Sequence, residues 1–197
     1  MMQNERLEKI VFDNKGIIQT ADAVDAGILK HVFYKFIREH NFEQVAHGIY
    51  LSPDAWIDTM YVISLRSKQA VFSHETALFL HNLTDQEPVQ YSISVKTGYN
   101  PSKLKVGGIK VYTIKKELYN IGLTETKTTF DHTVRIYNME RTICDIIRSR
   151  NTIEIQSFQD ALKQYTKRKE KNLRLLMRYA RQFHVDKMLN KYLEVLL

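Results

Sequence analysis

Residues 29–51 change hydrophobic period in a way that few folds accommodate. Leu29, Val32, Phe33, Phe36 and Ile37 recur at helical spacing and define one buried stripe. Directly afterwards, two short apolar stretches between Phe42 and Leu51 flank His47-Gly48, the pattern of a β-hairpin. Upstream, residues 5–12 read as a short amphipathic helix that stops at the turn signal Asn14-Lys15-Gly16. Thr20 is the expected N-cap of a second helix, with Asp22 favoured in its first turn by the helix dipole. Gly27 ends that helix by supplying a left-handed residue. Three helices, a glycine turn before the third and then a hairpin is the order of a winged helix-turn-helix. In that module the third helix enters the DNA major groove and the hairpin rides on the adjacent backbone.

The rest of the chain reads differently. Ser52-Pro53-Asp54 is a helix restart signal, with Ser as N-cap and Pro at the first helical position. It places a domain boundary between 52 and 53 and a helix over Trp56–Arg66. Ser73 is expected to cap another helix running to about Asn82. From Gln90 to Thr97 the period switches to two, with Tyr91, Ile93 and Val95 on one face of a strand. A second strand follows Gly107-Gly108, over Ile109–Ile114, and Thr128–Tyr137 is a third β-prone stretch. Asn138 is the expected cap of a helix from Met139 to Ser149. Three more helices are predicted over Ile155–Lys169, Asn172–Phe183 and Asp186–Leu196. The fold class is therefore α+β: a winged helix-turn-helix at 1–52, then a mixed α/β domain at 53–197 with a small sheet and a C-terminal helical bundle.

Charge is concentrated in one segment. The formal charge of +7 hides a net of −1 over residues 1–52 and +1 over 53–162. Residues 163–191 hold ten Lys/Arg against Glu170 and Asp186, a net of +8. Such a block suits a polyanion; a solvated helical face is the other reading. On the third helix Lys30, Tyr34 and Arg38 lie opposite the apolar stripe, with His31 and Lys35 beside them. His31, Tyr34, Lys35 and Arg38 are the candidates for base reading, since Arg and Lys suit the guanine edge, and Lys30 for phosphate. Lys15, Gln44 and His47 are expected to position the DNA backbone. The slight acidity of residues 1–52 is poor for a complete DNA-binding unit, because each neutralised phosphate takes a cation. Arg174, Arg178 and Arg181 share one helical face and are the candidates for a second contact.

No catalytic set assembles. His74-Glu75 begins like the HExxH zinc motif, but Leu78 stands where its second histidine belongs. His74 and His81 are two turns apart and no third ligand clusters with them, so no metal site is expected. Cys144 falls beside Ile143 and Ile147 and reads as a small buried hydrophobe. Arg141 and Asp145 are spaced for an intrahelical ion pair. Gly107-Gly108 lacks the following Gly-Lys-Ser/Thr of a phosphate loop, and the strand at Ser94-Val95-Lys96 lacks a metal nuclease's acid. No enzyme activity and no cofactor are expected. No apolar run is long enough to span a membrane, and Met1–Ile10 has no signal-peptide apolar region. The single cysteine suits a reducing compartment, so a cytoplasmic location is expected.

Several segments, in order, carry a family resemblance: Gly16-Ile17-Ile18, Ala26-Gly27-Ile28 and Ala46-His47-Gly48-Ile49-Tyr50-Leu51, then Val71–Leu83 with Pro88, then Glu140-Arg141-Thr142-Ile143-Cys144-Asp145. Together they resemble the AbiEi family, antitoxins of type IV toxin–antitoxin systems associated with abortive phage infection. The resemblance implies a winged-helix repressor that autoregulates its operon by binding double-stranded DNA at inverted repeats in its own promoter. It also implies a cognate nucleotidyltransferase-like toxin, countered without a stable complex through the C-terminal domain. The residues themselves support DNA binding. The competing class is a protein-interaction module that docks an acidic partner on the basic C-terminal helices.

Overall fold

The computed structural model describes residues 2–196. The chain divides into two compact units: unit 1 is 1–68 with 129–132, and unit 2 is 69–128 with 133–197.

Unit 1 contains α1 (Met2–Asp13), β1 (Ile17–Gln19), α2 (Thr20–Asp25), α3 (Lys30–Glu39), β2 (Glu43–Ala46), β3 (Ile49–Leu51) and α4 (Thr59–Arg66). The three strands form an antiparallel sheet in the order β1-β3-β2, with a bulge in β2 between Gln44 and Ala46. This is the winged helix-turn-helix expected from the element order. Leu7, Ile18, Ala23, Ile28, Phe33, Phe36 and Ile37 make its core. A second cluster joins Ile17, Ile49 and Leu51 to Val62 of α4. The boundary expected after residue 52 therefore falls inside this unit. Ser52-Pro53-Asp54 starts no helix. Ser52 N–H donates to the Gly16 carbonyl at 2.8 Å, so the segment closes the sheet end instead. Helix α4 begins later, capped by Asp58, whose Oδ1 accepts from Tyr61 N–H at 3.0 Å. Gly16 adopts φ +91°, and a Cβ there would lie 2.2 Å from that of Ala55, so the turn demands glycine.

Two further expectations in this unit need correction. Thr20 does not cap α2. Strand β1 runs directly into the helix, Gln19 takes the cap position, and Thr20 N–H closes the hairpin turn on the Gly48 carbonyl at 2.9 Å. Leu29 is 56% exposed, because it precedes the first turn of α3 instead of lying on its buried stripe. The returning segment 129–132 is held by His132. Its Nδ1 meets Asp58 Oδ2 at 2.7 Å, its Nε2 meets the Asn14 carbonyl at 3.2 Å, and its ring stacks on Tyr61.

Unit 2 contains β4 (Val71–Phe72), α5 (His74–Leu80), β5 (Ser92–Lys96), α6 (Ser102–Val106), β6 (Lys110–Ile114), α7 (Lys116–Tyr119), β7 (Leu123–Lys127), β8 (Thr133–Tyr137), α8 (Met139–Arg148), α9 (Ile155–Lys167), α10 (Leu173–Gln182) and α11 (Asp186–Leu196). Its five-stranded sheet has the order β6-β5-β4-β8-β7. The pairs β5–β6 and β4–β8 are parallel, while β4–β5 and β7–β8 are antiparallel. Asn138 caps α8 as expected, accepting from Arg141 N–H at 3.0 Å. Asn172 caps α10 in the same way through Leu175 N–H. Ser73 stands at the α5 cap position without making the capping bond, because its hydroxyl is engaged by His74 and Ser94.

Helix α8 is the centre of unit 2. Every residue from Glu140 to Ile147 is buried, among α5, α9 and α10. Arg141 Nε reaches both Asp145 oxygens at 3.0 Å, and its Nη1 donates to the Leu118 and Ile121 carbonyls. The guanidinium lies over the rings of Phe183 and Tyr137 at 3.8 and 4.2 Å. Gly122, at φ +73°, leaves room for it; a Cβ there would sit 2.6 Å from the Arg141 Cβ. Glu140 Oε1 accepts from Tyr165 Oη and Asn172 N–H, joining α8 to α9 and α10. Cys144 is buried in the same core, and burial pushes its thiol up, which suits a packing residue.

Candidate nucleic-acid interface

Helix α3 is oriented by what it buries. Phe33, Phe36 and Ile37 are 0–5% exposed, and burying side chains of this size contributes about 1.5–3 kcal/mol each. That anchoring leaves Lys30, His31, Tyr34, Lys35 and Arg38 on the exposed side, as expected. Lys35 spends its charge on Glu39 at 3.6 Å. Arg38 Nε donates to the Tyr34 carbonyl one turn back, at 3.4 Å. Among the described residues no acid pairs with Lys30 or Arg38. Unit 1 carries eight Lys/Arg against ten Asp/Glu, yet α3 itself holds Lys30, Lys35 and Arg38 against the single acid Glu39. A net-acidic unit can thus present a locally cationic helix.

Tyr34 is 42% exposed, and its ring packs edge-on against Phe33 at 5.3 Å and Tyr50 at 6.5 Å. It joins α3 to β3 as well as facing outward. Gln44 is Tyr50's cross-strand partner, so it lies on the same sheet face and is brought to the α3–hairpin junction. His47 is exposed in the hairpin turn beside Gly48. Lys15 is not brought there. It precedes β1 at the strand end away from that turn, and its ammonium is bound by the Asp131 carboxylate and by the Phe130 and Asp131 carbonyls.

Arg174, Arg178 and Arg181 belong to unit 2 and are exposed together on α10, bordering a groove of about 420 Å³ with Leu175 and Met177. Leu176, Tyr179 and Ala180 supply the buried face, and Leu173 and Met177 are partly buried. Both histidines weighed as ligands are engaged. His81 Nε2 meets the Tyr137 carbonyl at 2.7 Å, and His74 lies between Ser73 and Ser149. Among the described residues no cluster of His, Cys, Asp or Glu could hold a metal ion, and no helix is long and apolar enough to cross a membrane. Sequence reasoning missed an apolar groove of about 970 Å³ within unit 1, lined by Phe12, Phe36, Phe42, Trp56 and Phe130. The signal available was Trp56 beside Pro53-Asp54, which a helical reading absorbed.

No family model matches the chain. No curated protein matches it in sequence. Among solved structures, the RV2827C protein from Mycobacterium tuberculosis shares the fold at 12% identity, with a TM-score of 0.58, covering 90% of this chain and 71% of that one. At that identity the likeness is one of fold alone.

Proposed function

We propose that this chain is a DNA-binding transcriptional repressor of the AbiEi antitoxin type, acting in the cytoplasm without catalysis. The observation that carries this reading is α3, whose Lys30 and Arg38 are exposed and unpaired by any described acid, beside a hairpin that presents Gln44 and His47. A recognition helix with an adjacent wing suits the major groove and flanking phosphates. Its target is double-stranded DNA, in the form of inverted repeats in the gene's own promoter. The family resemblance adds a nucleotidyltransferase-like toxin, countered without a stable complex. Arg174, Arg178 and Arg181 add a second phosphate contact in this reading.

The test is a mobility-shift titration with the gene's upstream DNA against scrambled DNA, at two salt concentrations, with and without Mg²⁺. Sequence-preferring binding that weakens with salt and leaves the DNA uncut is expected. Neutralising the three α10 arginines is expected to flatten the salt slope; an unchanged slope removes the second contact. A second reading, docking of an acidic protein, is favoured by the mixed cationic and apolar groove on α10. It moves to the front if neither DNA binds at either salt.

A further inference from the structure

Unit 2 contains a small polar cavity of about 180 Å³, lined by His74, Ser94, Tyr112, Asp145, Arg148 and Ser149. The His74 ring is 4% exposed and stacked on Tyr112, with centroids 3.4 Å apart. Its backbone holds φ +50°, a left-handed conformation that a side-chain-bearing residue keeps only when its surroundings impose it.

The hydrogen bonds around this ring have a direction. Ser94 Oγ donates to Ser73 Oγ at 2.9 Å. Ser73 is fully buried and must place its own hydrogen; His74 Nδ1, at 3.0 Å, is the acceptor it reaches. In the Nε2–H tautomer that this direction selects, His74 donates to Ser149 Oγ at 3.1 Å. The relay Ser94–Ser73–His74–Ser149 therefore ends on a hydroxyl hydrogen at the cavity wall, and no described residue accepts it. Arg148 stands beside it, exposed; its side chain makes no ion pair or hydrogen bond to a described residue, and its charge acts on Asp145 only at longer range. Asp145 also lines the cavity, but Arg141 Nε holds both of its oxygens. The field at His74 is positive: burial first, then Lys110, Arg141 and Arg148, hold its imidazole well below the ordinary histidine range.

We propose that this cavity binds a phosphate-sized oxyanion, free or as the end of a phosphomonoester, held by the Ser149 hydroxyl and the Arg148 guanidinium, with His74 orienting Ser149. Unpaired donors in a positive field are complementary to an acceptor-only anion, and arginine suits phosphate geometry. The volume is below the ~300 Å³ at which pockets for drug-sized ligands begin, so the phosphoryl group enters and any nucleoside stays outside. The site is independent of DNA binding by α3.

The experiment titrates the full chain with inorganic phosphate, and separately with a 5′-nucleoside monophosphate, at constant ionic strength set with chloride. Calorimetry reads affinity and ¹⁵N NMR reads the His74 Nε2 signal. Saturable binding that moves this signal is expected, weakened about 10-fold or more by Arg148→Gln and several-fold by Ser149→Ala, as loss of a charged or a neutral hydrogen bond implies. Neutralising Arg174, Arg178 and Arg181 together is expected to leave it unchanged. Saturation by phosphate alone assigns the free ion, and saturation by the nucleotide alone assigns the ester. Saturation by both assigns the shared group. No saturation by either, or parental affinity in both Arg148→Gln and Ser149→Ala, overturns the proposal. Arg148 is exposed, so its variant keeps the fold and the test stands if Ser149→Ala does not.

Discussion

Helices α3 and α8 are each ten residues long, and each carries a cation and an acid four residues apart. On α3 the pair is Lys35–Glu39, exposed, at 3.6 Å. On α8 it is Arg141–Asp145, buried, at 3.0 Å, with further donors spent on two carbonyls. The same spacing has opposite meanings. An exposed pair is worth little and leaves its helix free to exchange partners, whereas a buried one is bound into the packing. α3 is suited to meeting something outside the protein, and α8 to holding unit 2 together.

The comparison is sharpest at Arg141. Arg141→Ala leaves the buried Asp145 carboxyl without its partner and strips two carbonyls of their donor. A loss of about 3–5 kcal/mol is expected, measured by urea unfolding of the full chain. A loss below 1 kcal/mol would mean that the α8 pair behaves like the α3 pair. Acid is expected to separate unit 2 next. Burial holds both His74 and His81 below their ordinary value of 6.5. Their stabilising contribution is complete above pH 6.5 and is lost as pH falls below it, because the unfolded chain then binds protons that the folded unit refuses. Urea midpoints at pH 7.5 and 5.5 check this, and a higher midpoint at 5.5 would contradict it.

On the other helix the readout changes from stability to binding. Arg38→Ala is expected to weaken binding to the gene's upstream DNA by about 1–3 kcal/mol, the range for a lost bidentate base contact, with the unfolding midpoint unmoved. A shifted midpoint with unchanged binding would place Arg38 among the packing residues. The smallest effect belongs to Lys35 and Glu39. A double-mutant cycle is expected to give about 0.2–1 kcal/mol of coupling that fades with salt.

What was legible in the sequence followed the same division. Amphipathic segments long enough to show a period are legible: α3, α8 with its Asn138 cap, and the last three helices, whereas Asn172, expected inside α10, is its cap. Strands β1 and β4 are three and two residues long, too short for alternation to register. β7 pairs only with β8, and its Leu-Thr-Glu-Thr-Lys carries little apolar signal. Ser52, Thr20 and Ser73 all have cap chemistry, and none caps a helix. Local propensity cannot see that Ser52 and Thr20 use their amide hydrogens at the two ends of a sheet, or that a buried histidine competes for Ser73. The exposed face of α3 was legible because helical spacing alone determines it. The pairing of Lys15 with Asp131 was not, since those residues lie 116 positions apart.

The return of 129–132 to unit 1 means that this unit is discontinuous in the gene. The polypeptide passes from one unit to the other three times, at 68/69, 128/129 and 132/133. A fragment ending at residue 68 lacks His132, the group that meets both the Asp58 carboxylate and the Asn14 carbonyl. Cutting the coding sequence after the wing, or after α4, therefore delivers an incomplete module and not a transplantable one. A single protease nick at 68/69 leaves unit 1 built from two polypeptides, 1–68 and the 129–132 stretch of the other. For this molecule, transplanting unit 1 requires moving two stretches of sequence together.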